Sequence, residues 1–489
     1  MKLDRLILKG EHSSPCDISG IEIKNVTASQ IKINSGTLFV FIKSIKFDVR
    51  KIINGVLALK PAAILCDEDF PVDDESIPII KCKNTRKLLP YIYARFYGID
   101  FDRMRFVGIT GTNGKTTTAT MLTRILSNAG KRVGFIGTGK ITVNGKLVTD
   151  FDYSMTTPDP EYLYYVIKEM QDAGCEYVIM EVSSHALYFE KTAPILFEVA
   201  IFTNLSEEHL DFHKSKDEYF DAKMKLFSRA KLGIFNADDN YSKRAYMQAK
   251  CKKICIGILK DADAMAKEVV LSGLSSSEYI YREKSRLFKV NLNLGGAFNV
   301  YNSMMATAAA LSLGISPNYI KETFEKLDLI DGRLEIIKDE ITVIIDYAHT
   351  SEAFENLLKL LYSAKSFGQN IITVFGCGGE RDKEKRPKMA RVAEKYSDLV
   401  IVTGDNSREE SEIQIIKDIL SGFDSTENRK VIASRKAAIE HAIASADKGD
   451  IVAIIGKGHE RYIIDKNGAH PFDERTVIKE ALKKRKRDV

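Results

Sequence analysis

Along the chain, short apolar runs alternate with polar turns and with stretches of helical period. Thr37-Leu38-Phe39-Val40-Phe41-Ile42 and Ala62-Ala63-Ile64-Leu65-Cys66 read as strands, with an amphipathic stretch over 51–59 between them. That pattern predicts a small α/β domain ending near residue 98. Next, Arg105-Phe106-Val107-Gly108-Ile109-Thr110 has the continuous apolar character of a buried strand, followed by a glycine turn and a helical run over 116–129. Runs over 176–181 and 199–204 repeat the strand pattern, each with polar groups at its C-terminal end. Open α/β sheets bind ligands at that edge. Alternation in Arg286-Leu287-Phe288-Lys289-Val290-Asn291-Leu292 predicts an antiparallel excursion over about 260–295, before a helix over 299–313. Beyond Gly332 a new series begins, with strands at 341–346, 371–375, 399–403 and 451–455 and helices between them.

The fold class that follows is α/β in three domains. The expected domains are a small N-terminal α/β domain over 1–98, a central domain over 99–330 whose strand, glycine turn and helix follow the order of a P-loop-type ATPase sheet, and a C-terminal Rossmann-like α/β domain over 331–489. Length agrees, since 489 residues exceed one core and domains run to roughly 100–200 residues. The boundaries rest on pattern changes, because no long Gly/Ser or Pro linker marks them.

Composition narrows the function classes. The chain is 44% hydrophobic and 28% charged, which excludes disordered and fibrous classes. A net charge of +5, from 72 basic and 67 acidic residues, argues against nucleic-acid or membrane-surface partners. The basic run Lys483-Lys484-Arg485-Lys486-Arg487 reads as the solvated end of a last helix, where cations are favoured. No run approaches the ~18 apolar residues of a membrane span, and the start lacks the apolar run of a signal peptide. The expectation is a cytoplasmic monomer. Seven cysteines make no disulfide framework in a chain this long, and Cys251 and Cys255 lack the second ligand pair that a zinc site needs.

Candidate chemistry starts at Gly111-Thr112-Asn113-Gly114-Lys115-Thr116-Thr117. Backbone amides in a glycine turn that opens a helix point at an anion, and a lysine adds a mobile charge for β/γ-phosphates. Thr116 stands where a hydroxyl can ligate the magnesium that bridges those phosphates. The strict phosphate-loop pattern has glycine where this chain has Ile109, so the loop is a variant flanked by Gly108 and Gly111. ATP and Mg2+ are the expected cofactors.

Together with later motifs, this segment resembles the Mur ligase family and, within it, the MurE type that adds an amino acid to UDP-N-acetylmuramoyl-L-alanyl-D-glutamate. The resemblance covers nearly the whole chain and is weakest before residue 100. It implies an acyl phosphate made from a substrate carboxylate and ATP, then attacked by an amine. Thr156-Thr157-Pro158 resembles the segment that contacts the nucleotide-sugar peptide. Glu181-Val182-Ser183-Ser184-His185 implies a magnesium ligand at Glu181 and a substrate contact at Ser183 or Ser184. Thr203 to Asp211 is similar to T-N-L-x-x-D-H-L-D, with His209 as a second metal ligand and Glu208 where the family usually has Asp. Lys223 matches the lysine that the family carbamylates, which would turn a cation into a metal-binding carboxylate.

Phe298-Asn299-Val300-Tyr301-Asn302 resembles F-N-x-x-N, so Asn299 and Asn302 are implied ATP-binding residues. Arg333 and the segment Asp346-Tyr347-Ala348-His349-Thr350 imply that Arg333, Asp346 and His349 complete the nucleotide site. Around the incoming amino acid the resemblance implies Arg386, Gly456 and Glu460, with Asp405-Asn406-Ser407-Arg408 as the selecting segment. Arg408 keeps a guanidinium that can fork onto a distal carboxylate, which favours meso-diaminopimelate over L-lysine. Ser407 replaces the family's proline, which leaves the turn less fixed.

The family pattern fails mainly in the substrate half. Ala28-Ser29-Gln30 keeps only Ser29 of D-S-R, Asp48-Val49-Arg50 stands in place of D-G-H, and Lys191 replaces an arginine of the UDP-substrate site. Two alternatives therefore stay open. One is a ligase of the same superfamily acting on another acid, resembling folylpolyglutamate or cyanophycin synthetases; the other is a non-catalytic nucleotide-binding paralogue.

Overall fold

The computed structural model describes residues 1–13, 17–43, 53–68, 76–149, 155–206 and 212–488. Within it the chain falls into two compact units, each assembled from several segments: 1–110, 130–200 and 222–232 form the first, and 111–129, 201–221 and 233–489 the second.

The first unit opens with a parallel sheet in chain order, β1 (Asn25–Thr27), β2 (Thr37–Val40), β3 (Ala63–Cys66) and β4 (Ile79–Lys81). Phe39, Phe41, Ile53, Val56, Ile64 and Cys66 close its core. The helix Thr85–Phe96 starts where Asn84 Oδ1 accepts from Lys87 N at 2.8 Å. This satisfies one of the amides that a helix start leaves open. The buried Tyr93 hydroxyl then ties the helix to β1 by donating to Val26 O at 3.0 Å.

The same unit contains β5 (Arg105–Thr110), β6 (Val133–Gly137), β7 (Lys140–Val143), β8 (Lys146–Leu147), β9 (Tyr177–Glu181) and the start of β10 (Phe197–Phe202). β9 lies between β5 and β6 and runs parallel to both, whereas β7 and β8 fold back antiparallel. Every residue of β6 and β9 is buried, as expected of strands covered on both faces. Parallel pairing brings the C-terminal ends of β5, β6 and β9 to one edge.

In the second unit the helix Lys115–Asn128 follows the glycine turn, with the helix Ala297–Ser312 beside it. The end of β11 (Ala230–Asn236), from Gly233 on, and β12 (Lys252–Gly257) lead into an antiparallel meander, β13 (Ala264–Ser272), β14 (Ser276–Glu283) and β15 (Arg286–Leu292). A second sheet follows, in the order β16-β17-β21-β18-β19-β20, from β16 (Glu335–Lys338), β17 (Thr342–Asp346), β18 (Ile371–Phe375), β19 (Leu399–Val402), β20 (Arg429–Val431) and β21 (Ile451–Ile455). Only β16 is antiparallel.

Alternating residues of this sheet face two layers. Val374 joins the core made with Ile439, Ile443, Ile478 and Leu482 of the helices Arg435–Ser445 and Glu474–Asp488, while its neighbour Phe375 packs against Phe354 of the helix Ser351–Ala364 at 5.0 Å. Helices thus cover both faces, as in a doubly wound fold. Near the end of the last helix, Arg485 donates to the carbonyls of Ile443 and Ala446, Lys484 faces Glu440 and Lys486 faces Asp339. This part of the basic run serves helix ends and local acids.

Candidate active site

The first unit gathers one set of the expected residues at the ends of β6 and β9. Glu181 is fully buried. Its Oε1 accepts from Thr138 N and its Oε2 from Thr138 Oγ1, both at 3.1 Å. Thr138 Oγ1 also meets Thr156 Oγ1 at 2.9 Å, and Thr157 Oγ1 donates to Glu181 O at 2.9 Å and accepts from Ser183 N at 3.0 Å. Ser183 caps the short helix that Ser184 begins, accepting from Ala186 N at 3.2 Å. Thr156, Thr157, Glu181 and Ser183 therefore form one hydrogen-bonded group, organised by Thr138, which sequence reasoning did not select. Its one signal was a hydroxyl residue just past a strand end.

Lys191 pairs with Asp159 at 2.7 Å, so its charge is already engaged. Ser29 follows β1, its amide donating to Thr27 Oγ1 at 3.1 Å. Lys223, on the helix Lys216–Met224, is 1% exposed, unusual for a lysine. Among the described residues no three His, Cys, Asp or Glu side chains cluster as metal ligands. His209 lies outside the described residues, as do Glu208 and Asp48-Val49-Arg50.

The second unit holds the glycine loop. Gly111 has φ +142°, and a Cβ there would lie 1.9 Å from Thr203 Oγ1; Gly114 has φ +84°, and a Cβ would lie 2.3 Å from Asn302 Oδ1. Both positions demand glycine. Thr112 N donates to Asn204 O at 2.9 Å, Asn113 N to Asn204 Oδ1 at 2.9 Å, and Thr203 Oγ1 to Asn113 O at 2.7 Å. Lys115 Nζ donates to Gly111 O and Thr112 O. Thr117 is buried in the first turn.

Asn299 and Asn302 are buried behind this loop. Asn302 Nδ2 donates to Asn299 Oδ1 and its Oδ1 accepts from Thr118, so the pair braces the turn. Arg333 Nη2 donates to Thr116 Oγ1 at 3.2 Å, with its guanidinium 4.5 Å from the Tyr347 ring centroid. Asp346 accepts from Leu334 N and Ala348 N; burial nonetheless raises its carboxyl above the ordinary range. His349 Nδ1 lies 3.0 Å from Tyr347 O, and Thr350 Oγ1 donates to Asn113 Oδ1 at 3.1 Å.

The remaining residues lie at the ends of β18, β19 and β21. β18 and β21 are neighbours from which the chain departs in different directions, the kind of switch point where such sheets open a crevice. Asn406 Nδ2 donates to Glu460 Oε2 at 2.8 Å, while its Oδ1 accepts from Lys457 Nζ and Ile464 N, each at 3.0 Å. Burial would raise the Asp405 carboxyl, but Lys457 and Arg435 hold it below the ordinary range. Gly456 puts its backbone against that carboxylate.

Arg408 has φ +54°, and its Nη1 donates to Gly379 O at 2.8 Å and Asn406 O at 3.3 Å. Among the described residues no hydrogen-bond acceptor is found for its Nε and Nη2. Ser407 stands in a turn whose backbone is hydrogen-bonded on both sides. Arg408 N donates to Ile464 O, Gly379 N to Asn406 O and Glu410 N to Ser407 O, so the backbone is anchored on both sides.

Arg386 departs from its expected place. It is fully buried, with Nη1 donating to Glu410 Oε1 and Asp418 Oδ2 and Nη2 to Glu410 Oε2 and Gly378 O. Its fork is taken up inside the protein. Exposed Arg381 instead adjoins Arg408 at Gly378.

A glycine loop between a buried strand and a helix, with further polar strand ends on a doubly wound sheet, defines the class: a nucleotide-dependent α/β enzyme. The chain belongs to the Mur ligase family, its residues 109–310 matching the Mur ligase middle domain and 332–458 the Mur ligase glutamate ligase domain. It is an ATP-dependent amide ligase with the three-domain Mur fold. It is 39% identical to the UDP-N-acetylmuramoyl-L-alanyl-D-glutamate--2,6-diaminopimelate ligase of Clostridioides difficile, over 99% of this chain and 98% of that protein. To UDP-N-acetylmuramoyl-L-alanyl-D-glutamate--2,6-diaminopimelate ligase 1 of Clostridium acetobutylicum it is 35% identical over 99% of each. A solved structure of a ligase of that name superposes with a TM-score of 0.70 at 27% identity, over 99% of both chains.

Proposed function

We propose that the protein joins meso-diaminopimelate to UDP-N-acetylmuramoyl-L-alanyl-D-glutamate in peptidoglycan precursor synthesis, with domain boundaries at 1–98, 99–330 and 331–489. The reaction rests on full-length similarity to ligases of that name. A carboxylate oxygen of the glutamate attacks the γ-phosphorus of ATP, giving an acyl phosphate and ADP. The amine of the incoming amino acid then attacks the acyl carbon, phosphate leaves with the bonding electrons, and the amine loses a proton. The loop amides from Gly111 to Thr117, with Lys115, hold the phosphates; Asn299 and Asn302 brace the loop; Arg333, Asp346 and His349 close the nucleotide site. Ser29, Thr156, Thr157, Ser183, Ser184 and Lys191 hold the UDP substrate.

The oxygen donors suit magnesium, a hard cation that takes oxygen ligands, with His209 the one nitrogen among the residues assigned to it. Glu181 is a buried carboxylate and Thr116 a hydroxyl. Lys223 is buried, and carbamylation would turn its cation into a metal-binding carboxylate. Thr116, Glu181, His209 and carbamylated Lys223 would hold the ion, which supplies charge neutralisation as phosphate oxygens develop negative charge. Among the described residues no helix is long and apolar enough to cross a membrane. The reading includes a cytoplasmic monomer with small-molecule substrates, without nucleic-acid or membrane partners.

The choice of amino acid is carried by Arg408, whose Nε–Nη2 edge can fork onto the distal carboxylate that lysine lacks. Asp405, Asn406, Gly456 and Glu460 complete that end. Arg381 takes the place first assigned to Arg386, which supports the loop from behind. The test is release of phosphate from ATP in the presence of the UDP-dipeptide, with meso-diaminopimelate and L-lysine in competition. Dominant incorporation of diaminopimelate is the expected result. Preference for lysine would overturn the amino-acid choice, and no turnover with either would overturn the reaction.

A further inference from the structure

One buried cation near the amino-acid end has no place in the reaction as described. Lys457 sits between Gly456 and Gly458 and is fully buried, where lysine is almost never found unless paired. An ammonium has three donors. Here Asn406 Oδ1 and Glu460 Oε2 each lie 3.0 Å from Nζ, and Asp405 Oδ1 lies at 3.5 Å. All three partners belong to the amino-acid end proposed above, and with them the donors of Lys457 are matched inside the protein.

We infer that Lys457 is the positioning residue of the amino-acid site, fixing the side chains of Asn406, Glu460 and Asp405 and, through Asn406, the guanidinium of Arg408. This rests on the function proposed above. The chain of contacts is explicit. The amide of Asn406 can turn either oxygen or nitrogen toward a neighbour, and its orientation is set by the surrounding donors. Lys457 Nζ and Ile464 N both donate to one end, so that end is the oxygen and the nitrogen faces Glu460. The backbone carbonyl of the same Asn406 accepts from Arg408 Nη1 at 3.3 Å and from Gly379 N at 2.9 Å, and Arg408 Nη1 also reaches Gly379 O. Remove the ammonium and one acceptor of Asn406 loses its cationic donor, Glu460 loses its ion pair, and Asp405 keeps only Arg435 of the two cations that hold its carboxyl down.

The effect should fall on the amino acid and spare the phosphoryl-transfer half of the reaction. That half can be read alone, because hydroxylamine attacks an acyl phosphate at its acyl carbon, giving a hydroxamate and free phosphate. The experiment uses the full-length enzyme with ATP, magnesium and the UDP-dipeptide, as wild type, Lys457→Met and Lys457→Gln. Losing charge-assisted hydrogen bonds predicts a rise of about 10- to 100-fold in KM for diaminopimelate with Lys457→Met. Hydroxamate formation should stay within about twofold of wild type. Lys457→Gln, which keeps a donor for Asn406, should recover part of the KM. An unchanged KM in Lys457→Met would overturn the inference. So would equal loss of hydroxamate formation in both variants, which marks a role in folding alone. A wild type that forms hydroxamate but uses no amino acid, or forms none, would instead refute the proposed function, and the inference would fall with it.

Discussion

At the scale of single residues, two guanidiniums beside the C-terminal sheet, one in the first turn of the helix Lys385–Tyr396 and one in a loop, have opposite fates. Arg386 is enclosed by Glu410 and Asp418, whereas Arg408 commits only Nη1 to backbone carbonyls. The hydrogen bond from Arg386 lowers the Glu410 carboxyl from 4.5 to about 2, against the opposing effect of burial. A depressed carboxyl stabilises the fold above its unfolded value and loses that contribution as pH falls toward the folded one. Thermal unfolding of the wild type should therefore weaken between pH 4.5 and about 2 through this group. Glu410→Gln should flatten that slope and destabilise the protein at pH 7 by about 2 kcal/mol, since the buried guanidinium of Arg386 loses one of its two carboxylate partners. An unaltered melting profile would remove Glu410 from this role. Arg408→Lys should raise KM for diaminopimelate by about 10- to 100-fold, because an ammonium cannot make the fork. Steady-state kinetics check it, and an equal rise in KM for ATP would refute it. Motif spacing placed both arginines in one class. What separates them is burial, set by Glu410 and Asp418 on other elements, which local pattern does not carry.

At the scale of elements, β17, β18, β19 and β21 were legible because continuous apolar runs bounded by turns leave little choice of period, whereas the short edge strands β16 and β20 were not read. The meander of β13, β14 and β15 was legible from alternation. Strand order was not, since β9 lies between β5 and β6 through contacts distant in sequence. The glycine loop lies between these cases. Its residues were readable, but the bracing by Asn302 and Thr203 comes from elements far along the chain. Gly114→Ala places a Cβ against Asn302 Oδ1 at φ +84°, a left-handed conformation costing about 1–2 kcal/mol for other residues. ADP affinity, measured by calorimetry, should fall by at least about tenfold. Adding Asn302→Ala removes the clash but leaves the backbone cost, so recovery should be partial. Wild-type affinity in Gly114→Ala would show that the turn tolerates a side chain and does not shape the phosphate site.

At the scale of the whole molecule, the second unit joins nucleotide loop and C-terminal sheet through few polar contacts. Arg333 reaches Thr116, and Thr350 and Glu352 reach Asn113. All of these depend on where the segment 331–335 leaves the chain before it. Arg475, at the start of the last helix, holds that segment: its Nε donates to Glu335 Oε1 at 3.1 Å and its Nη1 to Gly458 O at 3.2 Å, while Nη2 pairs with Asp331 and Glu335. One side chain thus ties the connection to Gly458, next to Lys457, and so links the nucleotide contacts to the amino-acid end. Arg475→Met keeps much of the buried stem and removes the fork. Because Arg475 has no contact with the glycine loop among the described residues, ADP affinity should stay within about twofold, whereas kcat should fall by about tenfold as the connection loses its fixed exit. Calorimetry and steady-state turnover measure the two separately. Parallel loss of both would mean that Arg475 holds the fold generally, and wild-type kcat would mean that the connection is set elsewhere.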